Sequence, residues 1–520
     1  MLSHEPAAFD AVCPSAVARR LRTQLLPLTR SMDEPKVIFN QKSKMGWLMD
    51  EMTTEPTTRV RMLGGPAGAV VPALVFVGVL VWLSAAERAT ITGFWVGGWA
   101  AIVAGLMLTT TRRAYADSIV RGMSDKTGVV IIVAFIFAGV FGTLLEGGGL
   151  VEGLLWLGLE TGLQGGAFVV LAFVLACLFA AGTGTSVGTV IAMTPVLYPT
   201  GVFLGADPTM MAVAVIAGGA FGDNIAPVSD STISSAYTAQ AEMGDVVRSR
   251  LPLSLSAAAA AAVVFAVFGG GGSVSERATS ADPSAVGLVM IIPFALVILL
   301  AMRRNHIIVA LAWGSVATIA IGLLAGQMSA SDVFSIPATS GDSTGLVEDG
   351  ISGVTGAVIL VLFILALAQL LADSGLMARL LARLQSRAAR GVRSAEFAIW
   401  TITLLFTVPL GANAPAILLV GPTLARPLGR AHGLAPARIA NLMDCSANTV
   451  FYMLPWHNAV IVWYATVQAT AGDHDLPVPS LGSAALNPYA WALIVVMLFS
   501  IFTGWNRRYA PAPDLARDEA

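Results

Sequence analysis

The sequence predicts an all-α polytopic membrane protein. It has about ten transmembrane helices plus two re-entrant hairpins, set in two inverted repeats, with helices broken where polar residues gather. Three observations predict it. The 520-residue chain is 56% hydrophobic and only 12% charged, against about 25% charged in soluble proteins, so it needs lipid around it. Apolar runs of about 20 residues, the length that crosses a bilayer, recur along it. An acid, glycines and prolines return in step in the second half.

Residues 1–65 are rich in charge and hold no apolar run long enough for a signal peptide. They read as a cytoplasmic tail with a short surface helix around Val17–Leu28, and Met32 and Met45 are alternative starts. Plain spans are expected at 67–85, 92–110, 127–146, 252–270, 284–302, 305–326, 354–373 and 489–505. The first repeat takes 66–270, the second 284–506, and 507–520 forms a cytoplasmic C-terminal tail. Lys and Arg accumulate on the cytoplasmic side. Arg112, Arg113, Arg121 and Lys126 place their loop inside, as do Arg248 with Arg250, and Arg303 with Arg304. The arginines of 376–393 mark a cytoplasmic amphipathic helix. Loops 148–165, 199–208, 327–353 and 471–487 carry no Lys or Arg and are placed outside. These sides agree only if 166–200 is a hairpin entering from outside and 394–425 one entering from inside, each followed by a crossing helix broken partway.

The repeat is carried by Leu144-Leu145-Glu146-Gly147-Gly148 against Leu371-Ala372-Asp373-Ser374-Gly375, and by Gly184 with Gly411, Ser186 with Asn413 and Pro195 with Pro422. One residue later in register, Pro208 pairs with Pro436 and Pro227 with Pro455. Basic loops of the first half match uncharged loops of the second, so the halves are expected upside down to one another, which places a site at their interface near mid-bilayer. Glu146 and Asp373, at equivalent span ends, are expected to cap the surface helices that follow.

The densest polar cluster runs from Gly218 through Asp223-Asn224 and Pro227-Val228-Ser229-Asp230 to Thr232. Glycines and Pro227 interrupt the helical ladder and free carbonyl oxygens, tolerated at membrane depth only where they line a cavity or bind something. A carboxylate at mid-bilayer costs on the order of 3 kcal/mol, so Asp223 and Asp230 are read as functional rather than as part of a surface loop. The first hairpin tip adds the hydroxyls of Thr183, Thr185, Ser186 and Thr189 on a glycine-rich turn. No GK[ST] follows, so phosphate cradling is set aside. Such oxygens suit a hard cation, and sodium is expected at Asp223 and Asp230, with Asn224, Ser229 and Thr232 beside them. The second half offers Asn413, Asp444, Ser446, Asn448, His457 and Asn458. Asp444 reads either as a cation ligand or as a neutral hydrogen-bonding acid, and His457 as a proton relay or a packed core side chain. Burial would hold a proton on such acids, like-charge repulsion between Asp223 and Asp230 would reinforce this, and a bound cation would expel it.

At Gly182-Thr183-Gly184-Thr185-Ser186-Val187-Gly188-Thr189, and at Gly219-Ala220-Phe221-Gly222-Asp223-Asn224 through Ser229-Asp230-Ser231-Thr232, the chain resembles the NhaC-type sodium/proton antiporter family. The resemblance extends over about 67–505. It implies a multi-pass inner-membrane antiporter that exchanges sodium for protons near Asp223 and Asp230, with transported sodium and protons in place of any cofactor. Relatives of this look include malate/lactate exchangers. The alternative is therefore a sodium- or proton-coupled carrier of organic acids or amino acids, which would want an Arg or half-helix N-termini facing the substrate carboxylate. No Lys or Arg is expected inside an apolar span. No nucleophile–base pair or HExxH points to an enzyme, and an inverted repeat favours alternating access over a passive channel. The three scattered cysteines, Cys13, Cys177 and Cys445, suggest no disulfide or metal framework. The expected partners are the lipid bilayer and small cations, with a homodimer allowed. A net charge of −2 and the lack of any long basic stretch argue against nucleic acid.

Overall fold

The computed structural model describes residues 59–511 apart from residue 87 and segments 271–273, 276–282, 304–305, 337–342 and 386–390. The surface helix expected at Val17–Leu28 lies outside these residues. The described chain is helical, joined only by isolated β-bridges. Ten of its helical stretches are long and apolar enough to cross a membrane.

The first half runs α1 (Val70–Ala85), α2 (Ile91–Leu108), α3 (Arg112–Met123), α4 (Lys126–Gly147) and α5 (Leu150–Thr161). A helix–turn–helix follows, α6 (Gly166–Thr183) and α7 (Ser186–Phe203). Next comes an interrupted pair, α8 (Pro208–Ile225) and α9 (Asp230–Ala239), and then α10 (Met243–Phe268). The second half repeats the order. It runs α11 (Ile291–Met302), α12 (Ile307–Leu324), a short α13 (Ala330–Val333), α14 (Leu346–Asp373) and α15 (Leu376–Gln385). Its hairpin is α16 (Val392–Leu410) with α17 (Asn413–Val420), continued by a π-helical turn Gly421–Ala425 into α18 (Arg426–Ala431). Its interrupted pair is α19 (Pro436–Val450) and α20 (Asn458–Asp473), and α21 (Pro488–Thr503) closes it.

Local chemistry sets the ends. Thr90 accepts from Gly93 N to start α2, and Asp125 accepts from Gly128 N to start α4. Asp207 accepts from Met210 N to start α8 beside Pro208. The two halves meet where side chains are absent. A Cβ on Gly139 of α4 would stand 2.4 Å from the Gly350 carbonyl of α14, and one on Gly122 of α3 would stand 2.6 Å from the Leu365 carbonyl. Backbone-to-backbone approach of this kind is how small residues join helices in lipid.

Several boundaries differ from expectation. The span expected at 284–302 is a 3-10 turn, Ala285–Met290, feeding the 12-residue α11. The tight turn lets Gly287 lie against Gly149, where a Cβ would be 1.9 Å from the carbonyl oxygen. The span expected from 354 begins at Leu346, with Glu348 and Asp349 in its first turn, where acids complement the helix dipole. The span expected from 252 begins at Met243, about two and a half turns earlier.

Glu146 and Asp373 do not cap the helices after them. Left-handed Gly149 precedes α5, and Ser374 Oγ accepts from Leu376 N ahead of α15. Instead, Asp373 accepts from Ser118 Oγ and Arg121 Nη2 of α3, both at 2.7 Å, and Glu146 lies 2.8 Å from His474 Nε2. Each acid ties its own half to the other.

Candidate cation site at the helix breaks

The first hairpin turns at Gly184, whose φ of +69° closes the end of α6. Thr185 then caps α7 by accepting from Gly188 N at 3.2 Å. The tip presses on the break between α8 and α9, since a Cβ on Gly184 would be 2.4 Å from Val228 Cγ2. Further up α8, a Cβ on Gly218 would be 2.5 Å from Ala176 Cβ, and one on Gly222 would be 2.1 Å from Ala180 Cβ. These bare positions let α8 run against α6 and bring its last turn, with Asp223 and Asn224, to the hairpin tip.

Asp223 is 7% exposed, and all three of its side-chain partners are uncharged. Ser229 Oγ donates to Oδ1 at 2.6 Å. Tyr452 donates its hydroxyl to Oδ2 at 2.5 Å and lies 2.9 Å from Ser186 Oγ of the hairpin tip. Asn413 Nδ2, from the second hairpin tip, donates to Oδ2 at 3.1 Å. The carboxylate is therefore held by the second hairpin and by the breaks that follow α8 and α19, and the first hairpin reaches it through Tyr452.

A second buried carboxylate, Asp444, is joined to the first through amides. Asn441, Asp444, Cys445 and Asn448 share one face of α19 by helical spacing. Asn448 Nδ2 donates to Asp444 Oδ1 at 3.0 Å and reaches Ser231 Oγ at 3.1 Å, while its Oδ1 accepts from Asn413 Nδ2 at 2.7 Å. Thr232 Oγ1 lies 3.3 Å from Asp444 Oδ2. The sequence left Asp444 open as a cation ligand or as a neutral hydrogen-bonding acid. It forms an ion pair with Arg250 of α10, both side chains being 0% exposed. Arg250 Nε donates to Asn441 Oδ1 at 2.9 Å, and Nη1 donates to the Asn224 carbonyl at 2.5 Å and to Thr232 Oγ1 at 2.9 Å.

Arg250 corrects two expectations. It lies within a helix rather than in a loop, and an apolar helix does carry an arginine. The signal lay in extending the helical period of α10 backwards: Val246, Ser249, Arg250, Leu253, Ala257, Ala261 and Phe265 form its buried stripe, whereas Arg248 is exposed. Tyr452 also escaped the sequence reading, because aromatic residues are common in apolar helices and only the break after α19 turns its hydroxyl inward.

The other expected residues divide. Asn224 Nδ2 donates to Ser254 Oγ and the Tyr489 hydroxyl, both at 2.9 Å, while its backbone carbonyl accepts from Arg250. Asp230 is exposed at the start of α9, whereas Asp223 is buried at the end of α8. Ser446 Oγ donates to the Trp400 carbonyl of α16, away from Asp223. His457 Nε2 lies 3.1 Å from the Val408 carbonyl, and its ring packs beside Phe451 and Trp456, the arrangement of a core side chain rather than of a relay touching Asp223. Thr183 Oγ1 and Asn458 Oδ1 are buried without a protein hydrogen-bond partner, one beside each hairpin tip, as Asn458 N donates to the Gly411 carbonyl.

The profile of the Na+/H+ antiporter family matches residues 31–270 and 274–505, nearly the full length of the chain. The chain belongs to that family. The Malate-2H(+)/Na(+)-lactate antiporter of Bacillus subtilis (strain 168) is 28% identical over 238 residues, 44% of this chain and 48% of that one. The match thus spans about half the length of that relative. Among solved structures, the Alcanivorax borkumensis YdaH transporter aligns with 84% of this antiporter-family chain and 99% of its own, at 15% identity and a TM-score of 0.39. Neisseria gonorrhoeae MtrF aligns with 87% and 96%, at 12% identity and a TM-score of 0.38.

Proposed function

We propose that this family member exchanges sodium for protons across the cytoplasmic membrane, the two cations competing for Asp223. The observation that carries the reading is a buried carboxylate at a helix break, held by hydroxyls and an amide from both halves, with no Lys or Arg paired to it among the described residues. A carboxylate without water favours its neutral, protonated form, and sodium gains from the ionised form. Serine and tyrosine hydroxyls suit both states, because each can turn its hydrogen toward the carboxylate or its lone pairs toward a cation. Thr183 Oγ1 and Asn458 Oδ1 supply further oxygen of the kind a hard cation selects. Exchange follows if the hairpins and interrupted helices reorient only when the charge of Asp223 is neutralised. The distribution of Lys and Arg supports both termini lying in the cytoplasm.

The relative's name motivates a second reading, a sodium-coupled carrier of small carboxylates. Arg250 is a buried cation that could meet such a substrate, but its donors are already committed to Asp444, Asn441, Asn224 and Thr232. That commitment favours cation exchange.

Everted membrane vesicles carrying a pH-reporting dye test the reading. Sodium or lithium should release an imposed proton gradient, and Asp223→Asn should abolish the response while the protein remains in the membrane. A response only to malate or lactate would support the second reading, and full activity in Asp223→Asn would remove that residue from the mechanism.

A further inference from the structure

We propose that Arg250 is a resident positioning cation: it keeps Asp444 ionised and out of the exchange, so that Asp223 alone trades one proton for one sodium ion, without net charge movement. This rests on the exchange reading above and deepens it.

Three carboxylates are buried among the described residues: Asp223, Glu396 and Asp444. Glu396 is held by Arg438 at 2.8 Å and by Arg507 at 2.6 Å. Asp444 is held by Arg250. Asp223 is the one left with uncharged partners. Asp230 is exposed and so is not among these buried carboxylates. Arg250 cannot serve as a mobile counter-ion, because α8 holds it through the Asn224 carbonyl, α9 through Thr232 and α19 through Asn441 and Asp444.

The pair also reaches Asp223 through hydrogen-bond direction. An ionised Asp444 only accepts, so Asn448 must turn its NH2 toward it, at 3.0 Å. The Asn448 oxygen then faces Asn413 and requires that residue's NH2, at 2.7 Å. The same NH2 lies 3.1 Å from Asp223, while Asn413 Oδ1 is occupied by Ala414 N at 2.8 Å. The sequence Arg250, Asp444, Asn448, Asn413 thus fixes which atom Asp223 meets. If Asp444 took a proton instead, the amide chain could reverse and present oxygen to Asp223. In both loaded states, proton or sodium on Asp223, the charges of Asp223 with its load, Asp444 and Arg250 sum to zero, so reorientation of the site carries no charge through the membrane field.

The test counts protons released when sodium is titrated into the purified full-length protein in weakly buffered detergent with a pH dye, and follows exchange in proteoliposomes under an imposed potassium-diffusion potential. Wild type should release one proton per chain and exchange at a rate indifferent to the potential. Arg250→Lys, which keeps the charge, should retain the single release. Arg250→Gln should free Asp444 to titrate, giving a second proton or moving the midpoint of release by about one pH unit or more. Arg250→Gln combined with Asp444→Asn should return to a single release, with weakened sodium affinity. Two protons from wild type, a rate that follows the potential, an Arg250→Gln profile superimposable on wild type, or no release from the folded double variant would each overturn the proposal while leaving sodium/proton exchange standing. If Arg250→Gln does not fold, the wild-type count, the potential dependence and the double variant still decide. No release from wild type with either sodium or lithium would overturn the exchange reading and this inference with it.

Discussion

Asp223 and Asp444 have the same side chain and similar burial, yet opposite neighbours, and the neighbours decide what each can do. Removing one partner of a buried pair such as Arg250–Asp444 leaves an uncompensated charge and costs about 3–5 kcal/mol. Asp223 has no Lys or Arg partner among the described residues, and its bonds are to Ser229, Tyr452 and Asn413. A different charged residue governs stability at a helix end. His474, just after α20, bonds to Glu146 at 2.8 Å. That hydrogen bond first, and then the charges of Glu146, Asp473 and Glu152, hold His474 above its ordinary value of 6.5, with burial opposing them. A raised folded-state value means that the contribution is full below about pH 6.5 and is lost as pH climbs through the raised value. His474→Gln should therefore lower the melting temperature more at about pH 6 than at about pH 9, read by thermal unfolding of the detergent-purified protein. An equal loss at both pH values would show that the pair contributes nothing through its charge.

At the scale of the element, the site depends on α8 lying flush against α6. Gly222→Ala would put a methyl 2.1 Å from Ala180 Cβ and 2.4 Å from its carbonyl carbon, so one helix must move. Overpacking of this kind costs about 1–3 kcal/mol and shifts the turn that carries Asp223, so exchange should fall at least tenfold while the protein still inserts. Vesicle exchange measured beside membrane protein level checks this, and wild-type exchange would show that the contact is slack. The breaks and hairpins were legible because Gly184, Pro227, Gly411 and Pro455 interrupt apolar runs that would otherwise continue, and no other feature of those runs explains the interruption. Which polar side chains face one another was not legible. Ser446 lies two residues from Asp444 but bonds the Trp400 carbonyl, because one residue along a helix turns a side chain by about 100°. Arg250 was hidden for the opposite reason: a charge two residues from an apolar run reads as its flank, and only the buried stripe of α10 shows that the helix starts earlier. Glu146 and Asp373 repeated as expected, but their partners come from the other half of the chain, which no local pattern encodes.

Over the whole molecule, one order of elements occurs twice, and the contacts that matter cross between the copies. Gly139 meets Gly350, Asp373 meets Arg121, Glu146 meets His474, and Asp223 meets Asn413 and Tyr452. A carboxylate gripped by both halves would feel any movement of one against the other, which is what alternating access requires of its binding site. The chain that carries this arrangement belongs to the Na+/H+ antiporter family. The central claim is that a proton and a sodium ion cannot occupy Asp223 together. Equilibrium binding of radioactive sodium to the purified protein across a range of pH tests it most directly. Competition predicts that the half-saturating sodium concentration rises about tenfold for each pH unit in the acid range where the site is protonated, at unchanged capacity, and that Asp223→Asn removes the binding. Sodium affinity that stays constant with pH, or that survives Asp223→Asn, would contradict it.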